Sequence, residues 1–284
     1  LLGHEGSGGV LEVGPEVTHV KPGDRVVMHW RPGRGIEARP PVCSWRGQRC
    51  NAGWITTFNR YAIIAENQLT CVPVDTDFEV CALLADTLTT GFGVINNDAG
   101  VKLGESVVVI GVGGIGLGTV LGAHLAGAHP IIAVDVHEHK LAKAREFGAT
   151  HTINSTSTDF VAATEAILGG KADVVVDGTG VPAVLEKAFM LAGPRARCIG
   201  VGVMHHERKL ALNTLPLHFG KTLTGSQGGG SRPAEDIPRY LRMMRDRRFD
   251  PRGFVSHRLP LEQINDGIDR MRSGEVVHAM IHFS

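Results

Sequence analysis

The sequence lacks an excess of charge of either sign. Lys plus Arg and Asp plus Glu each number 29 in 284 residues, so the formal net charge is zero. A protein without a net positive field is poorly suited to hold nucleic acid or an anionic membrane surface, and we predict neither partner. The content of 43% hydrophobic and 20% charged residues is ordinary for a globular protein and argues against a disordered chain.

Cysteine is scarce, and the five residues are an odd number spread from Cys43 to Cys198. A chain long enough to bury a large core needs no disulfides, so this pattern predicts a reduced, cytoplasmic protein. No basic segment followed by an apolar run opens the chain, which predicts no signal peptide. The longest uncharged stretch, residues 107–134, is interrupted by glycines and predicts a strand, a turn and a helix rather than a membrane span.

The chain also lacks an initial methionine. It begins at Leu1, and a recognisable motif starts by residue 3. We therefore expect the sequence to be a fragment or an incomplete gene model. Glycine, in contrast, is abundant at 37 residues and calls for an explanation.

The sequence predicts two kinds of architecture. Residues 8–28 and 58–73 show short apolar runs between turn residues, typical of antiparallel strands, with an irregular loop over 31–53. Further on, apolar strands alternate with helices, which predicts a parallel sheet covered on both faces. The predicted strands are 107–110, 131–134, 174–176 and 198–199, and the predicted helices are 117–126, 141–147 and 183–192. A polar helix over 235–245 and a strand over 278–283 end the chain.

The strongest local motif is VVVIGVGGIGLG. Gly111, Gly113 and Gly116 satisfy G-x-G-x-x-G directly after a predicted strand and at the start of a predicted helix. Such a turn lets the backbone approach a pyrophosphate at the helix N-terminus. Asp135 ends the next strand, where a carboxylate accepts hydrogen bonds from ribose hydroxyls and disfavours the 2′-phosphate of NADP. Lys140 lies close enough in sequence to reach a ribose hydroxyl.

Two further features concern metal chemistry. His4 and Glu5 are adjacent and pair a metal-ligand type with a charged neighbour, although two adjacent residues alone make no metal site. Asp86 is an acid in the otherwise apolar segment LLADTLTTGFG. A buried carboxylate needs a partner, which a metal or a protonated histidine would supply.

Three segments together resemble the zinc-dependent medium-chain dehydrogenase/reductase family, the alcohol dehydrogenases. They are GHEGSGGVLEVGPEVTHVKPGDRVV, LADTLTTGFG ahead of IGVGGIG, and RRFDPRGFVSHRLPLEQINDGIDRMRSGE. The resemblance implies an α/β protein: a Rossmann doubly wound parallel sheet plus a β-rich, GroES-like catalytic domain truncated at its N-terminus. It implies a partial catalytic domain over 1–86, an NAD-binding domain over 87–227, and a return to the catalytic domain over 228–284.

The resemblance also implies roles for individual residues. His4 would be a catalytic zinc ligand, Glu5 a neighbouring or alternate ligand, and Asp86 a ligand where most members have Cys. Thr90 would lie beside the nicotinamide, and Trp30 would line the substrate pocket. The implied NAD site comprises Gly111, Gly113, Gly114, Ile115, Gly116, Asp135 and Lys140.

Some family features are missing. The first zinc-ligand Cys and the proton relay belong upstream of the first residue, so we expect an incomplete active site. His278 stands where many members have a pyrophosphate-binding arginine. Only Cys43 and Cys50 occupy the loop that holds four cysteines and a structural zinc in many members. Because two cysteines do not complete a tetrahedral site, we predict one catalytic zinc per subunit and no structural zinc.

The predicted function is therefore a zinc- and NAD-dependent dehydrogenase that interconverts an alcohol and its aldehyde or ketone. The family implies a homodimer or homotetramer with small-molecule substrates. Two alternatives remain open. One is a zinc-free quinone-reductase-like member, against which Asp135 and the His4–Glu5 pair argue. The other is a dinucleotide-binding protein without catalysis.

Overall fold

The chain divides into two compact units. The computed structural model describes residues 2–51 (the side chain of Asn51 apart), 53–246 and 248–283. One unit combines the residues up to Thr89 with those from Ser231 onward, and the other runs from Thr90 to Gly230. The N-terminal unit is thus formed by two separate segments of chain, whereas the second unit is continuous.

The N-terminal unit is built mainly from short strands. They are β1 (Glu5–Gly9), β2 (Arg25–His29), β3 (Val42–Trp45), β4 (Gln48–Asn51), β5 (Leu69–Val72), β12 (His257–Pro260) and β13 (Ala279–His282). The helices of this unit are α1 (Phe78–Ala85), α7 (Pro233–Arg245) and α8 (Ile264–Arg272), and α2 (Thr87–Gly93) crosses the boundary between the units. In its described residues the strands form three small sheets: the antiparallel sheet β1-β2-β5, which packs against α1, the hairpin β3-β4 and the parallel pair β12-β13.

The second unit is built on a six-stranded parallel sheet. Its strands are β6 (Val107–Ile110), β7 (Ile131–Asp135), β8 (His151–Asn154), β9 (Ala172–Asp177), β10 (Ala192–Gly200) and β11 (Thr222–Gly225). They lie in the order β11-β10-β9-β6-β7-β8. Its helices are α3 (Gly114–Leu125), α4 (Glu138–Glu146), α5 (Phe160–Leu168) and α6 (Pro182–Leu191). The strand order reverses between β6 and β9, as in doubly wound dinucleotide-binding sheets, and the predicted fold class is confirmed.

The four predicted central strands are present, and each is fully or almost fully buried over its core residues. Helices α3, α4 and α6 also match the predicted positions. The edge strand β8 and helix α5 are not among the predicted elements, and for β8 the reason is that residues 151–159 are polar, as is typical of a loop. β8 is half exposed, so its sequence shows no apolar run.

The strand prediction for residues 8–28 is wrong in its middle. Strands occupy only Glu5–Gly9 and Arg25–His29, which pair in antiparallel register with Glu5 opposite His29. Leu11 and Val13 carry apolar side chains, but they lie outside any strand and are exposed. Within 58–73, only the last part, Leu69–Val72, is a strand.

The predicted irregular loop over residues 31–53 contains the β3-β4 hairpin. Arg46 and Gly47, the two residues between the strands, both have positive φ, of 50° and 76°. This conformation matches the right-handed twist of the strands, but Asn-Gly or Asp-Gly is the usual sequence for it. The pair Arg-Gly is therefore only a weak sequence signal for a hairpin turn. Cys43 and Cys50 lie opposite each other in this hairpin.

The buried carboxylate of Glu66 holds the chain near the start of the segment 31–53. Glu66 Oε1 accepts hydrogen bonds from the backbone N–H of Thr18 (2.6 Å) and His19 (2.5 Å), and Oε2 accepts one from Ile36 (2.9 Å). Burial alone would raise the pKa of Glu66, but these bonds outweigh it and lower the pKa below its ordinary value. The ionised carboxylate thus joins three pieces of chain.

Among the described residues, no individual helix combines the length and apolar character needed to cross a bilayer. One bent pair of consecutive helices, Phe78–Ala85 with Thr87–Asp98, reaches that length and composition together.

Candidate functional site

His4 and Asp86 are brought together in the N-terminal unit. His4 directly precedes β1, and Asp86 lies between α1 and α2 with non-helical backbone angles of φ −146° and ψ −55°. The helix break turns the carboxylate toward β1, which packs on α1. His4 Nε2 and Asp86 Oδ2 are 3.0 Å apart, although 82 positions separate them in sequence.

The electrostatics of the pair favour a cation. The hydrogen bond to Asp86 raises the pKa of His4, partial burial opposes this shift, and the negative charges of Asp86 and Glu5 reinforce it. The side chain of Asp86 is only 10% exposed, whereas that of His4 is 66% exposed. An acid buried to this degree is stabilised by a neighbouring positive charge, whether a protonated imidazole or a metal ion.

Trp30 contacts the same carboxylate from the other side. It follows directly after β2, whose last residue, His29, lies opposite Glu5 in the sheet. The indole Nε1–H donates a hydrogen bond of 2.9 Å to Asp86 Oδ1. The two oxygens of Asp86 thus have different neighbours, Trp30 at Oδ1 and His4 at Oδ2.

Glu5 faces a different set of groups. Its Oε2 accepts hydrogen bonds from the backbone N–H and the hydroxyl of Thr87, each at 3.0 Å, and its Oε1 lies 3.4 Å from His278 Nε2. Burial raises the pKa of Glu5, and the positive charge of His278 opposes that shift. Sequence reasoning did not identify the contacts with Thr87 and His278. Successive side chains of an extended chain point to opposite faces, so the adjacency of His4 and Glu5 in the sequence indicates only that their two side chains diverge.

The donor chemistry of His4 and Asp86 fits a zinc ion. Imidazole nitrogen and carboxylate oxygen are both common zinc ligands, and two ligands of a tetrahedral ion with bonds of about 2.0–2.2 Å are separated by about 3.3–3.6 Å. Within the described residues, no group of three or more His, Cys, Asp or Glu side chains gathers in a way that could hold a metal. The described residues therefore supply two converging donors, and a catalytic site with three protein ligands would need one more.

The glycine motif forms the expected turn at the carboxyl end of β6. Gly111 has φ 86°, and a Cβ on Gly116 would lie 2.0 Å from the Gly111 carbonyl oxygen. A Cβ on Gly113, in contrast, would meet no atom within 4 Å. Gly114 and Ile115 form the first residues of α3, so their free N–H groups border that open space. This turn fits a bound pyrophosphate.

Asp135 closes the same turn from the neighbouring strand. Its Oδ2 accepts a hydrogen bond of 2.8 Å from Val112 N, and its Oδ1 accepts from Val136 N (2.8 Å) and His137 N (3.0 Å). The carboxylate is therefore fixed at the end of β7 beside the glycine turn. Lys140 lies in the first turn of α4, which follows β7.

Thr90 lies in α2, one turn after Thr87, and is buried. Its turn packs closely on the glycine-rich segment Gly228–Gly230, because a Cβ on Gly229 would lie 2.4 Å from the Thr90 carbonyl oxygen. Thr90 belongs to the second unit, whereas His4, Asp86 and Trp30 belong to the first.

Comparison with known proteins gives a consistent result. The model of the alcohol dehydrogenase GroES-like domain matches residues 1–75, and that of the zinc-binding dehydrogenase matches residues 114–246. The chain is 31% identical over 323 aligned residues to an alcohol dehydrogenase class-3 of Cereibacter sphaeroides, covering all of this chain and 85% of that protein. The chain belongs to the zinc-dependent medium-chain alcohol dehydrogenase family.

Two further matches place it within this family. The S-(hydroxymethyl)glutathione dehydrogenase of Paracoccus denitrificans is 30% identical, with 99% of this chain and 84% of that protein covered. The crystal structure of benzyl alcohol dehydrogenase from Acinetobacter calcoaceticus is 29% identical and superimposes with a TM-score of 0.89, covering 100% of this chain and 84% of that one. The alcohol dehydrogenase resemblance predicted from the sequence is confirmed, and the protein is an alcohol oxidoreductase of the zinc type.

Proposed function

We propose that this protein transfers hydride between an alcohol and NAD, and that His4 and Asp86 hold its catalytic zinc. The approach of His4 Nε2 and Asp86 Oδ2 to 3.0 Å carries this proposal. When bound, zinc supplies the Lewis acidity that lowers the pKa of an alcohol toward neutrality. The substrate class is an alcohol with its aldehyde or ketone, as the names of the relatives suggest.

Each named residue has a task in this proposal. Asp86 contributes a negative charge and His4 a neutral nitrogen, so the pair leaves a bound divalent ion with net positive charge. A carboxylate in place of the usual thiolate is a harder ligand and keeps the metal more electrophilic. Glu5 supplies a second carboxylate behind the pair, and its contacts with Thr87 and His278 keep it there.

The cofactor half of the proposal rests on the glycine turn. Gly111, Gly113 and Gly116 would admit the pyrophosphate, and the first N–H groups of α3 would bind its oxygens. Asp135 would accept hydrogen bonds from the adenosine ribose and repel a 2′-phosphate, which favours NAD over NADP. Five further expectations stay predictions. They are a position of Thr90 beside the nicotinamide, a contact of Lys140 with the ribose, a homodimer or homotetramer, a cytoplasmic location and the lack of a structural zinc.

Metal removal tests this proposal. Dialysis against a chelator should abolish the alcohol-dependent reduction of NAD, measured with benzyl alcohol and S-(hydroxymethyl)glutathione among the substrates, while NADH binding by fluorescence stays intact. Added zinc should restore turnover.

His4→Ala should lower turnover by more than the roughly 10- to 100-fold typical of removing an outer partner of a metal ligand. His206→Ala, which changes an exposed histidine of the second unit, is the matched control. Metal-free protein that turns over normally would refute the proposal.

A second candidate is a dinucleotide-binding protein without catalysis. It is favoured by the finding that only two metal donors converge among the described residues. Under this alternative, the zinc-treated protein would bind NADH but would reduce no NAD with any alcohol. The same assay therefore separates the two functions.

A further inference from the structure

The side chain of Trp30 is hydrogen-bonded to Asp86 Oδ1. The indole Nε1–H donates over 2.9 Å to this oxygen, while Oδ2 faces His4 Nε2 at 3.0 Å. An indole nitrogen is a donor only, so the direction of this bond is fixed. A hydrogen bond to an ionised acceptor is also stronger than one between neutral groups. The carboxylate plane of Asp86 is therefore oriented by Trp30.

The backbone that carries Trp30 is itself held in place. His29 is fully buried, and its ring is hydrogen-bonded through Nδ1 to the Arg31 carbonyl (2.7 Å) and through Nε2 to the Thr70 hydroxyl (2.8 Å). These bonds fix the residues on both sides of Trp30 against the neighbouring strand β5. The indole thus reaches Asp86 from a rigid support.

This arrangement answers a difficulty specific to an aspartate ligand. A thiolate presents one ligand atom, but a carboxylate has two oxygens and can rotate to present either or both. Resting on the proposed function, we propose that Trp30 is a positioning residue: it holds Oδ1 so that Asp86 offers Oδ2, beside His4, to the zinc. Outer partners of this kind orient metal ligands and commonly change metal affinity 10- to 100-fold.

Zinc affinity, measured by competition with a chromophoric chelator, tests this role without relying on turnover. Trp30→Phe keeps an aromatic ring but removes the N–H, and it should weaken zinc binding about 10-fold. Trp45→Phe is the matched control, because Trp45 is 61% exposed in the β3-β4 hairpin, and it should bind zinc like the unchanged protein. Equal zinc affinity in Trp30→Phe and the unchanged protein would overturn the inference.

A double-mutant cycle separates positioning from packing. In an Asp86→Cys background, the ligand atom is a single sulfur, and Trp30→Phe should change zinc affinity less than about 3-fold. A loss of packing or a folding defect would weaken zinc binding equally in both backgrounds, and that result would also overturn the inference. Failure of the unchanged protein to bind zinc, or loss of zinc binding in Asp86→Cys, would instead count against the proposed function.

Discussion

At the scale of single residues, His29 shows how a buried imidazole is held neutral. The Arg31 carbonyl oxygen only accepts hydrogen bonds, so Nδ1 carries the proton and Nε2 accepts from the Thr70 hydroxyl. Burial lowers the pKa of His29 to about 4, and nearby backbone carbonyls only partly offset this effect. The neutral ring is thus part of the folded structure over the whole physiological range.

This gives a pH-dependent stability. Between about pH 6.5 and pH 4, the unfolded chain protonates His29 while the folded protein does not, so stability falls as the pH is lowered through that window. From the shift to about 4, we expect His29 to account for a loss of about 2–3 kcal/mol in the free energy of unfolding between pH 7 and pH 4.5. Urea unfolding at the two pH values measures the loss. His29→Gln should show a smaller pH difference, and an equal difference in both proteins would contradict the prediction.

At the scale of elements, the turn between β6 and α3 uses glycine for two different reasons, packing within the protein and space for a bound ligand. Gly116 is required by packing, since its Cβ would lie 2.0 Å from the Gly111 carbonyl oxygen. Gly113 has open space around it and φ −68°, which any residue adopts. The surrounding protein atoms therefore place no constraint on Gly113, whereas a bound pyrophosphate would.

Two alanine variants test this distinction. Gly116→Ala should destabilise the protein by about 1–3 kcal/mol through overpacking, seen as a lower midpoint in denaturant. Gly113→Ala should leave that midpoint unchanged but weaken NADH binding, measured by fluorescence titration, because its methyl group would occupy the space for the cofactor. Unchanged NADH affinity in Gly113→Ala would show that this turn does not hold the pyrophosphate.

The same elements show what sequence alone can predict. The strands that carry Asp135 and the glycine motif are continuous apolar runs buried on both faces, so their pattern identifies them. The β3-β4 hairpin and β8 were missed because exposed strands give no such pattern. The pairing of Trp30 with Asp86, 56 positions apart, depends on sheet register and a helix break that no local pattern encodes. The resemblance to a family suggested both residues but not their contact.

At the scale of the whole molecule, the two candidate binding features lie in different units. His4 and Asp86 belong to the unit that includes the C-terminal segment, and the glycine turn belongs to the continuous unit from Thr90 to Gly230. A ligand stabilises the folded state that binds it by mass action. Zinc and NADH should therefore each stabilise the folded protein against unfolding, and they should do so through separate residues.

Thermal unfolding tests this separation. At 100 times its dissociation constant, each ligand should add about 2.7 kcal/mol to the stability of the folded state and raise the unfolding midpoint. In Asp86→Ala, the zinc-dependent rise should disappear while the NADH-dependent rise persists. Calorimetry with each ligand alone provides the measurement, and a full zinc effect in Asp86→Ala would place the metal elsewhere.

The anchoring of the chain on both sides of the β3-β4 hairpin also determines which insertions and deletions this molecule can accept during evolution. Glu66 holds Ile36 on one side of the hairpin, and on the other side Thr57 N–H bonds to the Leu2 carbonyl at 3.2 Å. The chain between these anchors, which is mostly exposed over residues 37–50, closes a loop whose ends are fixed, and the entropy of such a loop changes little with its length. Insertions or deletions there would leave β1 and β2 undisturbed, so the hairpin can diversify in length and sequence while the residues around Asp86 stay in place.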